Sequence, residues 1–462
     1  MFRTTLFLKR AALVLVSLLV GLATAEAALR LAGISYPPPA LFFQPDRNTG
    51  WSHLPGAAGE FRREGFSKVR ISSAGLRDRE HLLAKPTNVF RVAVLGDSMT
   101  EALQVPEEKN FCSVLERQLQ QCSMLRGRQP EVINFGVMGY GTAQELIMLR
   151  RKVWQYSPDM VILAFAPIND VIDNSPFLQE FEPDQLRGAR PFFYSDRGHL
   201  QLDSSFQTSL ARIRINQGLT YGSAFRRFLW EFRIGQLLLH VRDKYKSGPL
   251  AIIWRGASVT KGFFTNGSRA FDPFAAAEAE AGYVLNPPPD QAWRSGWRLS
   301  EAIITQMARE VRDQHKLFLL VVLSEPLQVF PGPNARETLL KEAHVEDPFY
   351  PNERLEALAR REGLEFLSLS QPLQQYADAR GVFLHGFPDS VLGYGHYNEL
   401  GHRLVGDMIA GRICELIAAP EGVRPQADRR AACLRRSPSH GSETGAHGRG
   451  RMLSSTQRLA SD

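Results

Sequence analysis

From residue 89 onward, short and almost continuously apolar runs alternate with stretches of helical periodicity. Val89–Leu95, broken only by Arg91, is the first run, and Val132–Phe135, Met160–Phe165, Leu317–Leu323 and Glu365–Leu369 follow it. Runs of this kind suit strands covered on both faces. Between them, Phe111, Val114, Leu115, Leu119 and Cys122 recur at helical spacing near residues 108–122. The same spacing predicts helices near 142–156, near 297–315 (Ile303, Ile304, Met307, Val311) and near 352–362. A last helix starts near Asn398 and turns Leu400, Leu404, Val405, Met408, Ile409 and Ile413 inward. Strands alternating with helices predict an α/β fold: a three-layer α/β/α, doubly wound parallel sheet of flavodoxin-like type with about five strands. Ligands in such sheets bind at the carboxyl ends of the strands.

The rhythm is interrupted between residues 175 and 296, a large insertion after the third strand. Within it, Tyr221–Tyr245 is a helix candidate rich in Phe225, Phe228, Leu229, Trp230, Phe232, Leu237, Leu238 and Leu239. Core packing accounts for that stripe, and a membrane-surface or acyl-chain groove is the sharper alternative. Ahead of the first run, residues 48–80 hold short strand-like pieces (Gly59 to Phe61, Lys68 to Ile71) separated by glycines. They read as a small β extension within residues 35–85, entered through the stiff linker Tyr36-Pro37-Pro38-Pro39. The main domain is expected over 86–417. From 418 to 462 the apolar pattern is lost and a disordered basic tail is expected.

Residues 1–34 have the layout of a targeting segment. Arg3, Lys9 and Arg10 precede an apolar run from Ala11 to Ala25. Ala23-Thr24-Ala25 and Ala25-Glu26-Ala27 both match a small-x-small cleavage site. The run reaches Ile34 only by including Glu26 and Arg30, which lie four apart and can pair on one helix face. A cleaved signal and an uncleaved anchor both fit, with the anchor preferred, and either places the bulk of the chain outside the cytoplasm.

Composition adds limits. With 44% apolar and 22% charged residues, the chain is that of a globular protein. Its net charge of +7 is not gathered into a Lys/Arg stripe; part of it lies in the tail, where Arg outnumbers acids by 8 to 4. No nucleic-acid module accompanies it, so no nucleic-acid partner is expected. The four cysteines, Cys112, Cys122, Cys414 and Cys433, fit no zinc or CxxC spacing. Cys112 and Cys414 read as buried thiols, and a disulfide framework is not expected.

The candidate chemistry lies just after strand ends. Gly96-Asp97-Ser98-Met99-Thr100 places a serine hydroxyl between a buried strand and a helix N-terminus. Asp, Ser and Thr are also good N-caps, so Ser98 alone reads equally as cap or nucleophile. After the second strand, Asn134-Phe135-Gly136-Val137-Met138-Gly139 supplies glycines that let a backbone N–H approach a ligand, or simply form a βα turn. After the third, Ile168-Asn169-Asp170 offers an amide donor for an oxyanion, or an Asx-turn. At the start of the last helix, Gly393-Tyr394-Gly395-His396-Tyr397-Asn398 brings a histidine that can serve as base to a serine at the sheet edge.

These four pieces, in this order, resemble the SGNH or GDSL-type hydrolases over roughly residues 86–176 and 297–417. The resemblance implies Ser98 as nucleophile, His396 as base, and an oxyanion hole built from the N–H groups of Ser98 and Gly139 with the Asn169 side chain. Nothing in the sequence calls for a metal or an organic cofactor. His402 is assigned a structural role. Two positions depart from the family. Pro167 stands where a glycine precedes the Asn-Asp pair, and Gly393 stands where the orienting Asp is found, three residues before the histidine. Asp389 is the substitute if the Gly393–Gly395 loop bends back; a Ser-His dyad oriented by a backbone carbonyl is the alternative.

The resemblance implies action on carboxylic esters. An extracytoplasmic esterase or O-acyltransferase for O-acetyl groups of a polysaccharide or cell-wall glycan is ranked first. A lipase or lysophospholipase, cued by the aromatic helix, is second. A non-catalytic glycan-binding component of an export complex is the third, motivated by Gly393.

Overall fold

The computed structural model describes residues 2–32, 34, 42–181, 190–196, 199–203, 205–208, 232–246 and 281–418. The expected tail lies outside the described residues, as do residues 221–231 of the aromatic helix candidate and the linker prolines. In chain order the regular elements are α1 (Phe2–Leu31), β1 (Phe43–Asp46), β2 (Gly50–His53), β3 (Ala58–Phe61), β4 (Ser67–Arg70), β5 (Val89–Gly96), α2 (Ser98–Glu101), α3 (Phe111–Leu119), β6 (Gln129–Asn134), α4 (Thr142–Arg151), β7 (Met160–Phe165) and α5 (Pro167–Asp173). Then come β8 (Phe192–Asp196), β9 (His199–Asp203), α6 (Arg233–Lys246), α7 (Gln291–Asp313), β10 (Leu317–Val322), α8 (Pro333–Glu342), α9 (Tyr350–Glu362), β11 (Glu365–Ser368), α10 (Ser370–Arg380) and α11 (Glu399–Ala418).

The main sheet has five parallel strands in the order β11-β10-β7-β5-β6. Counted along the chain, that is the order 2-1-3-4-5 of flavodoxin-like sheets. Alternation along each strand divides the core into two layers. Leu95, Leu163, Phe165, Leu320 and Val322 face α4, α7 and α9, through Leu146, Ile303, Ile304 and Leu355. Val94, Ile162, Ala164, Leu319 and Val321 face α3, α10 and α11, through Phe111, Leu115, Leu373, Val405 and Ile409. The apolar strand runs of the sequence are therefore covered on both sides.

The β extension consists of two antiparallel hairpins, β1–β2 and β3–β4. Phe42, Phe43, Trp51, Phe61 and Val69 join the first core layer, so the extension is packed onto the domain rather than tethered to it. In the insertion, β8 and β9 pair antiparallel and Phe193 reaches the same layer. α1 is long and apolar enough to cross a membrane, over Ala12–Leu31. The expected Glu26–Arg30 pair forms at 2.7 Å. Glu26 also accepts from the backbone N–H groups of Arg233 and Ile234, at 3.0 and 3.1 Å, which docks the start of α6 on α1.

Cys112 is a buried thiol, as expected. Cys414 is not: it is bonded to Cys122 across 292 residues, with Cα atoms 6.0 Å apart. The helix that was expected to carry Cys122 on its face ends at Leu119. Beyond it the chain turns toward α11, which brings the two sulfurs together. Breaking this bridge by reduction or by Cys122→Ser is expected to lower stability by about 2–5 kcal/mol. A thermal midpoint unchanged by reductant would show that the pair contributes nothing.

Candidate active site

β5 is buried along almost its whole length and stops at Gly96, where the chain turns into α2. The cap of α2 is Asp97, whose carboxylate accepts from the Met99 N–H at 2.8 Å. Ser98 is the first residue of the helix, and its Oγ lies 2.9 Å from His396 Nε2. The two sequence readings of this turn are thus divided between neighbours: Asp97 caps, and Ser98 faces a histidine.

His396 precedes α11 in a loop shaped by Gly393 (φ +85°) and Gly395 (φ +75°). Its Nδ1 lies 2.5 Å from Oε2 of Glu64, and its backbone N–H donates to Oε1 of the same carboxylate at 2.9 Å. Glu64 comes from the β3–β4 turn, 332 residues away in sequence. A Cβ at Gly395 would collide with this carboxylate, so the glycine makes room for it. At Gly393 a Cβ would meet the Phe330 ring at 2.5 Å, so a side chain there has no space.

Asp389 is accordingly corrected as the orienting acid. The Nδ1 side of the imidazole is occupied by Glu64, and Asp389 accepts from the Gly65 backbone N–H at 3.0 Å. It steadies the turn that carries Glu64. The sequence offered one half of the clue, a glycine at position 393 where the orienting acid was expected. It offered nothing that pointed to an acid in the extension.

The charges support each other. Burial works against a charged imidazole, but the Glu64 carboxylate outweighs it and holds His396 above its ordinary pKa. Burial likewise acts to raise Glu64, and His396 outweighs that, leaving Glu64 below its ordinary value. The Nδ1–H tautomer, with Nε2 free to accept from Ser98, is the one this geometry favours.

The other predicted site residues converge at the same strand ends. Asn169 lies in α5, just past β7, and donates through Nδ2 to Asp97 at 2.6 Å. Pro167 occupies the first turn of α5, where its missing N–H costs no helical bond. That explains why the departure from glycine leaves Asn169 and Asp170 in place. Asp170 accepts from Thr142 Oγ1 at 2.7 Å and from the Ala166 N–H at 2.8 Å, tying the end of β7 to α4. Burial pushes Asp97 and Asp170 upward, toward the neutral acid. Gly139 follows β6 at φ +73°. Ser98 and Asn169 flank the β5–β7 step, the switch point of the strand order.

Behind the loop, His385 is buried and burial pulls its pKa down to about 4. Being neutral, it donates from Nδ1 to the Gly395 carbonyl at 2.8 Å and accepts at Nε2 from Ser324 Oγ at 3.2 Å. His402 stacks on Phe111 with centroids 5.9 Å apart, and burial lowers its pKa to about 3.

No family model matches the sequence, and no curated protein matches it. Solved structures do show similarity. An acetyl xylan esterase, AlAXEase, is 13% identical, with 70% of this chain and 99% of that one covered and a TM-score of 0.33. A GDSL-like lipase from Bacteroides thetaiotaomicron is 12% identical over 73% of this chain and 92% of its own, with a TM-score of 0.29. TesA is 13% identical over 71% and 99%, with a TM-score of 0.31. At such identities and TM-scores, the chemistry of the site rests on its own geometry.

Proposed function

We propose that the protein is a serine esterase of the SGNH type, acting by acyl transfer through Ser98. The observation that carries this reading is the hydrogen-bonded chain Ser98–His396–Glu64, with links of 2.9 and 2.5 Å. His396 Nε2 takes the Ser98 proton as Oγ attacks an ester carbonyl. The carbonyl oxygen becomes an oxyanion, held by the N–H groups of Ser98 and Gly139 and by the second amide hydrogen of Asn169. His396 returns the proton to the departing alkoxide, and the C–O bond breaks to leave an acyl-enzyme. Water or a sugar hydroxyl, deprotonated by the same imidazole, then takes the acyl group. Glu64 stabilises the imidazolium and keeps the ring turned.

The first-ranked substrates are O-acetyl groups on a polysaccharide or cell-wall glycan outside the cytoplasm, for hydrolysis or for transfer. The apolar α1 supports an anchor or a signal, and the Cys122–Cys414 bridge suits an oxidising compartment. One observation favours lipid esters as a second reading. Phe66, Val391 and Leu392 are 46%, 39% and 45% exposed on the turns that carry Glu64 and Asp389.

The test combines a fluorophosphonate probe with product release from acetylated glycans and from a lysophospholipid. Labelling is expected on the Ser98 peptide, with acetate released and fatty acid not. Fatty-acid release alone would move the assignment to the lipase reading. Glycan binding with neither labelling nor release would leave a non-catalytic component.

A further inference from the structure

The β extension reaches the loop that carries Gly139 both directly and through Glu101 of α2. Trp51, in β2, is 3% exposed, and its indole Nε1–H donates to the Met138 carbonyl at 2.9 Å. His53, two residues on, lies 2.5 Å from Oε1 of Glu101, with both side chains 1% exposed. Oε2 of Glu101 accepts from the Met138 N–H at 2.8 Å. The Met138 residue is therefore held on both its N–H and its C=O.

The Met138 carbonyl and the Gly139 N–H belong to one peptide unit. That unit is planar and trans, so its C=O and N–H point in opposite directions. A donor fixed on the carbonyl side sets the direction of the N–H on the other side. Hydrogen bonding at the carbonyl also polarises the amide and strengthens its N–H as a donor. Other bonds hold the indole in place. The Trp51 carbonyl accepts from Tyr140 Oη at 2.6 Å, and the Trp51 and Tyr140 rings meet edge-on at 5.8 Å.

We propose that Trp51 is a positioning residue for the oxyanion hole: its indole N–H aims and polarises the peptide that carries the Gly139 N–H, while the His53–Glu101 pair holds the peptide before it. The inference rests on the Ser98 esterase reading and goes beyond it. The extension then serves both halves of the site, with Glu64 at the base and Trp51 at the oxyanion.

Trp51→Phe removes the N–H and keeps an aromatic ring. The oxyanion is absent from the bound ester and forms only as Oγ adds, so the loss falls on kcat and not on KM. In the full chain, kcat is expected to fall about tenfold with KM unchanged, the size of one well-aligned hydrogen bond. Affinity for a tetrahedral boronate is expected to fall by a similar factor. If Trp51→Phe unfolds, benzothienylalanine at position 51 keeps the shape of the indole without its N–H, and the same kcat loss is expected. Wild-type kcat in either folded variant overturns the proposal, as does a loss that appears in KM alone. Absence of esterase activity and of Ser98 labelling in the unaltered protein is a different outcome, which would overturn the esterase reading itself.

Discussion

Replacing Ser98 by alanine is expected to lower kcat for ester cleavage on the order of 10⁴–10⁶-fold and to abolish fluorophosphonate labelling. The size follows from the chemistry, since without Oγ no acyl-enzyme forms. A residual rate above water is expected from the oxyanion donors alone. The fold should be untouched. Asp97, not Ser98, caps α2, and its bond to the Met99 N–H does not involve the hydroxyl. Circular dichroism and thermal midpoint should therefore match the wild type. A Ser98→Ala protein that keeps full activity would remove the serine from the mechanism and leave the Ser98–His396 contact as packing.

Glu64→Gln carries the second-largest expected effect, a fall in kcat of about 10²–10⁴-fold. The amide can no longer stabilise an imidazolium, and it tolerates the wrong tautomer. A pH signature accompanies the loss. His396 must be neutral to act as base, so kcat/KM rises with pH through its pKa. Glu64 holds that pKa above its ordinary 6.5 against the opposing effect of burial. With the Glu64 charge gone, its raising effect is lost and the pKa falls. The acid limb of the profile should move to lower pH even as the plateau drops. A variant with normal rate and an unmoved limb would reassign the acid. Adding Gly393→Asp to Glu64→Gln should not restore activity, because Phe330 fills the space a side chain would need there.

The sheet was legible because its strands are buried on both faces and its helices are amphipathic. Val89–Leu95, broken only by Arg91, and the wholly apolar Met160–Phe165 became β5 and β7 within a residue of the expected ends. Short surface helices were not legible. Pro333–Glu342 buries only Arg336 among its residues, so it carries no apolar stripe to read. Ser98, Asn169 and His396 could be singled out in the sequence because each follows a strand end or precedes a helix, where local pattern and chemistry coincide.

By itself, the sequence determined the order of strands and helices, the placement of a serine, an amide and a histidine at one edge of a parallel sheet, and an apolar N-terminal helix. Each of these depends on neighbours a few residues apart, which periodicity and turn chemistry report. Tertiary structure alone decided which acid faces His396, which donor faces the Met138 carbonyl and which cysteine pairs with Cys414. Those partners are 332, 87 and 292 residues away. The first two meet because Trp51 and Phe61 bury themselves in the domain core, and that burial carries the β3–β4 turn to the loop of His396. The cysteines meet because the chain beyond α3 turns toward α11. Nothing local in Arg63-Glu64-Gly65 distinguishes this carboxylate from any other at a hairpin turn.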